Sequence, residues 1–118
     1  MLAEAFGVKK IVIACGRTDL RKSIDGLAQL VSTGYDLDPF EKDVLFLFCG
    51  GRSDRIKGLL WEGTGFLLLY KRLEAGSFSW PRTPEEAVEL TREQYRFLMN
   101  GLNPVNPKIR EIQPSKVL

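Results

Sequence analysis

Residues 44–49 read Val-Leu-Phe-Leu-Phe-Cys, an apolar run with no polar break, and turn chemistry follows at Gly50-Gly51-Arg52-Ser53-Asp54. A run this short and continuous marks a strand buried on both faces, or nearly so. The rest of the fold has to be arranged around it.

Upstream, Lys10 to Cys15 is β-branched and apolar and stops at Gly16, which predicts a first strand. Between the two strands lies the clearest helical pattern. Thr18 or Asp19 can cap it, and Leu20, Ile24, Leu27, Ala28 and Val31 recur on one face. Gly34 stands where a left-handed residue would end that helix. Gly26 inside it costs about 1 kcal/mol against alanine, which close packing onto a sheet would explain.

Downstream, Ile56, Gly58 and Leu60 alternate with Arg55, Lys57, Leu59 and Trp61. Glu62-Gly63-Thr64-Gly65 is a turn, Phe66 to Leu73 a further strand, Ala75-Gly76 another turn, and Phe78 and Trp80 share one face of a short strand. Ala87 to Leu90 suits an edge strand. Thr91-Arg92-Glu93-Gln94 is a capping-box pattern, opening a helix striped by Tyr95, Leu98 and Leu102. The expected fold class is therefore α+β: an antiparallel β-meander of about four to five strands, one helix packed on the sheet and a second C-terminal helix. Residues 1–102 read as a single domain and 103–118 as an extended, proline-containing tail.

The composition excludes several functions. The chain has 118 residues, a net charge of +2 and no histidine. A Ser–His or Cys–His nucleophile is excluded, and the commonest zinc ligand is missing. Cys15 and Cys49 each close an apolar run and read as buried, reduced thiols. No apolar run approaches the roughly 18 residues of a membrane span, and residues 1–8 lack an export pattern. A cytoplasmic location is expected, with no cofactor and no metal.

Three constellations could carry chemistry. The first places Arg17, Arg21 and Lys22 at the start of the first helix, with Lys9 and Lys10 one strand earlier. Positive charge is disfavoured at a helix N-terminus unless an anion such as a nucleic-acid phosphate answers it; the alternative is pairing with Asp19 and nearby carboxylates on a solvated surface. The second interleaves Arg52, Arg55, Lys57, Lys71, Arg72 and Arg82 with Trp61, Phe66, Tyr70, Phe78 and Trp80. Charges there can track phosphates while rings stack on bases, although strand aromatics ordinarily pack the core. The third is the acids Asp19, Asp25, Asp54 and Glu62, whose spacing is diagnostic of nothing, so no catalytic residue is assigned.

Together these motifs resemble a known family. Gly16-x-Thr18-Asp19-x-Arg21-Lys22-Ser23-x-Asp25-Gly26-Leu27, Leu37-x-Pro39-Phe40, Asp54-Arg55-Ile56-Lys57, Trp61-Glu62-Gly63-Thr64-Gly65-Phe66 and Tyr70-Lys71-Arg72-Leu73-Glu74-x-Gly76-x-Phe78-x-Trp80-Pro81 are similar to the motifs of the TnpB (Orf2-like) accessory proteins of the insertion sequence 66 family of bacterial transposable elements. The resemblance implies a helper encoded beside a separate transposase, and it brings no catalytic residues. The expected function is thus a non-catalytic accessory role in transposition, binding transposon-end DNA, the partner transposase, or both; a pure protein–protein adaptor is the alternative. Arg17, Arg21, Lys22, Arg55, Lys57, Lys71 and Arg72 are the expected nucleic-acid contacts, and Trp61 and Trp80 the expected stacking or partner contacts.

Overall fold

In the computed structural model, which describes residues 7–83 and 86–101, the run at 44–49 is strand β2 (Val44–Cys49), buried along its whole length. The expected tail at 103–118 lies outside the described residues. Around β2 stand β1 (Lys10–Ala14), β3 (Arg55–Trp61), β4 (Phe66–Arg72) and β5 (Ala87–Leu90), in the order β4-β3-β2-β1-β5. The α+β class holds, with one refinement. β2, β3 and β4 form an antiparallel meander, and β5 pairs antiparallel with β1, but β1 runs parallel to β2, with Val12 opposite Phe46. Parallel neighbours need a crossover. Here it is helix α1 (Ile24–Gln29) with its wider π-helical continuation over Leu30–Gly34.

The period of two along each strand divides the core into two layers. On one face of the sheet Ile13, Leu47, Ile56 and Leu60 pack with Phe78, Trp80 and the buried Tyr95 and Leu98 of helix α2 (Arg92–Met99). On the other, Val12, Phe46, Phe48 and Leu59 lie under Leu27 and Val31 of the crossover. Phe78 and Trp80 share a face as expected, but their segment is not a strand: Phe78 N donates to Ser53 O in the loop after β2, at 2.6 Å. The capping box is complete. Gln94 N donates to Thr91 Oγ1 at 3.1 Å, and Thr91 N donates to Gln94 Oε1 at 2.8 Å.

The first helix departs from expectation at both ends. It starts after Ser23, not at Thr18: the Thr18 amide ties the loop to Cys49 O at 2.9 Å, and the Thr18 hydroxyl is buried and accepts from no helix amide among the described residues. Asp19 instead folds its own loop, accepting from Arg21 N at 3.0 Å. At the far end the left-handed residue is Asp36, at φ 55, and not Gly34. Gly26 does not abut the sheet either. A Cβ there would meet the Lys22 side chain at 3.2 Å, whereas the close approach within the sheet is at Gly58, where a Cβ would meet Leu45 and Leu47 methyls at 3.2 and 3.3 Å.

Cys15 and Cys49 are both buried and free. Burial pushes the Cys15 thiol up to about 11, and burial raises Cys49 as well, so neither is a ready nucleophile.

The β3–β4 turn closes with Glu62 N donating to Gly65 O at 2.9 Å, and of its two glycines only Gly63 has a positive φ, at 88°. Gly63→Ala is expected to lower stability by about 1 kcal/mol or more, although an added Cβ would meet no neighbour within 4 Å. Gly65→Ala should be nearly neutral. Thermal melts of the two variants check the difference.

Candidate nucleic-acid interface

Because β1 and β2 are parallel, the loops that leave them emerge side by side at one edge of the sheet. Backbone and side-chain bonds fix them there. Thr18 N is held by Cys49 O, and the Arg82 guanidinium donates to Gly16 O at 2.8 Å, Gly50 O at 2.9 Å and Ser53 Oγ at 2.8 Å. Gly51 leaves room for Arg17 to lie across it, since a Cβ would stand 3.1 Å from Arg17 Nε. The opposite wall comes from β3 and β4. Lys57 faces Tyr70 in register, and Arg55 faces Arg72; these residues alternate onto the same face as Leu59 and Leu68, which pack in the α1 layer.

Between the walls runs an open groove of about 1280 Å³. Its lining carries five cations, Arg17, Arg21, Arg52, Arg55 and Lys57, and one carboxylate, Asp19. Arg21 Nε and Nη2 each donate to Asp19 at 3.0 Å, and those bonds hold the Asp19 carboxyl down at about 2. Arg55 donates to Asp54 at 3.2 Å, while Arg52 Nη2 lies 4.0 Å from the same residue; bonding to Arg55 lowers the Asp54 carboxyl also. Among the described residues Lys57 Nζ donates to the neutral Lys22 O, at 3.0 Å, has no ion-pair partner, and sits 5.9 Å from the Tyr70 ring centre. Arg17 has no ion-pair partner among the described residues. Five cations against Asp19 and Asp54 leave a surplus of three positive charges. Thr18, also in the lining, keeps a buried Oγ1 that has no hydrogen-bond partner among the described residues.

The structure brings together Arg17, Arg21, Arg55 and Lys57 of the expected contacts, with Lys22 at the rim through its carbonyl. Arg17, Arg21 and Lys22 lie in the loop between β1 and α1, ahead of the helix N-terminus expected from the sequence, while Arg55 and Lys57 are on β3. Arg72 shares the face but pairs with Glu74 at 3.2 Å. Lys71 is opposite Ile56 and therefore points to the other face. Lys9 and Lys10 lie at the far end of β1, paired with Asp43 and Glu41. Trp80 is a core residue: it is 5% exposed, and its indole Nε1 donates to Ala14 O at 2.9 Å, so it offers no ring to a ligand. Trp61 sits at the other end of β3 in a cluster with Phe40 and Phe66, its ring centre 4.9 Å from each. Two lining residues, Arg52 and Tyr70, were outside the expected set. Their basic–aromatic composition was visible; Arg52 sits in the turn between β2 and β3, and the face that Tyr70 occupies depends on strand pairing that the sequence does not display. Among the described residues no group of His, Cys, Asp or Glu is placed to hold a metal ion, and no helix is long and apolar enough to cross a membrane.

Fold and groove define a class, the small α+β domain that presents a basic groove at the edge where two parallel strands end. The chain belongs to the family described as IS66 Orf2 like protein, whose model matches residues 9–109. It is thereby a transposition-associated accessory protein. It is similar to two proteins of Sinorhizobium fredii (strain NBRC 101917 / NGR234). Uncharacterized protein y4jC is 32% identical over 118 residues, covering 99% of each chain, and uncharacterized protein y4hO is 33% identical over 109 residues, covering 92% of each. No solved structure matches the chain.

Proposed function

We propose that this protein is non-catalytic and binds the DNA of its element's ends through the groove between the β1 and β2 exit loops and the β3–β4 wall. The observation that carries this reading is the surplus of three positive charges in an open groove. Such a surface gathers phosphates, releases their counterions and reads little sequence. Binding to labelled element-end and random DNA is expected to differ little between sequences and to fall steeply from low to high salt. A protein showing no salt-sensitive DNA binding, alone or with its transposase, would end this reading.

A second surface favours a protein partner as well. Phe40 is 54% exposed and Leu37 is exposed beside it, in a loop that also carries Asp36, Asp38 and Glu41. Aromatic groups exposed beside charges are common at protein interfaces, and the transposase is the partner proposed for this one. DNA retention seen only when the transposase is present would make the protein an adaptor.

A further inference from the structure

We infer that the DNA held in the groove is single-stranded, with the ring of Tyr70 as a stacking platform for one base. This rests on the groove being the DNA site and goes on to name the form of the DNA.

Tyr70 is 54% exposed, and it is the large exposed aromatic that stands among the cations rather than in the Phe40 cluster. It lies on β4, at the end of the sheet order, so among the described residues no further strand covers its outer side. Its cross-strand partner is Lys57, whose ammonium reaches the ring at 5.9 Å, and Arg55 and Arg72 are the next pair along the same face. A base-sized flat surface is thus set directly beside groups suited to phosphate.

A duplex cannot use that arrangement well. Its bases are stacked on one another and present only their edges, so a protruding ring meets sugar and phosphate. A single strand presents base faces as well as phosphates. Proteins that bind it pair a positively charged track with aromatic platforms, and stacking tolerates any base because every base has a π-face. The low sequence selectivity expected of the groove agrees with this. Lys57 adds to the arrangement, because it can answer the phosphate of the nucleotide whose base lies on the ring.

The test compares an element-end oligonucleotide, single-stranded and as duplex, by fluorescence anisotropy at one salt concentration. The single strand is expected to bind more tightly. Tyr70→Ala should weaken single-strand binding by about 5- to 150-fold, the range for one stacked base, and weaken duplex binding far less; Tyr70→Phe, which keeps the ring, should restore it. Thermal melts of both variants establish that they are folded. Duplex bound as tightly as single strand, or equal losses on both forms in Tyr70→Ala, would overturn the inference while leaving the groove as a DNA site. No binding of either form would remove both.

Discussion

Trp80→Ala is expected to destabilise the protein by about 3–5 kcal/mol, the cost of emptying a large aromatic site in a core. The ring is buried with Phe78, Tyr95 and Leu98, and its indole N–H is bonded to Ala14 O. Loss of that donor leaves a carbonyl at the end of β1 without this partner, which adds to the cavity cost. Trp80→Phe keeps most of the packing and loses the hydrogen bond, so about 1–2 kcal/mol is expected. Urea melts measure both. If Trp80→Ala melts like the parent and yet loses DNA binding, the ring is serving a ligand and not the core, and the assignment made here fails.

Reversing two charges in the groove should have the largest effect on binding. Arg17 has no ion-pair partner among the described residues, and Arg52 is only 4.0 Å from a carboxylate that Arg55 already holds. Arg17→Glu with Arg52→Glu turns the surplus of three positive charges into a deficit. Like charges set against phosphates cost several kcal/mol, so DNA affinity should fall by about 100-fold or more at low salt. The slope of log affinity against log salt should flatten by about two units. Both side chains are on the surface, so the melting midpoint should move little. Unchanged DNA affinity in this variant would place the interface elsewhere on the molecule.

How much of this was legible in the sequence depended on the range of the interaction involved. The burial of Val44–Cys49 and the Thr91–Gln94 capping box follow from residues a few positions apart, and both are present. The start of α1 differs from the sequence expectation because a residue far along the chain, Cys49, holds the Thr18 amide and draws the segment into a loop, so that the helix begins only after Ser23. The groove shows the same divide. Its basic and aromatic residues could be picked out, but their sorting could not. Tyr70 and Lys71 are neighbours in sequence and point to opposite faces; only the pairing of β4 with β3 decides which one joins Lys57. Trp80 and Tyr70 are both aromatic residues among cations, and one is a core ring and the other an exposed one. Lys10 opens β1 and Arg17 lies in the loop beyond its far end, and the strand between Lys10 and Ala14 alone spans about 13 Å at a strand's rise per residue.

The strand order also sets a sequence of events during synthesis. β2, β3 and β4 pair through short turns, so this meander closes quickly, with little chain entropy lost. β1 is made first but has nothing to pair with until the whole crossover and β2 have emerged, and β5 completes its other edge later still. The chain must therefore hold an apolar strand unpaired while the ribosome produces its partner. The groove exists only once β1 has docked, because one of its walls is the loop that leaves β1. Appearance of DNA binding in a refolding experiment would then follow the burial of the meander, and would time the docking of β1 onto β2.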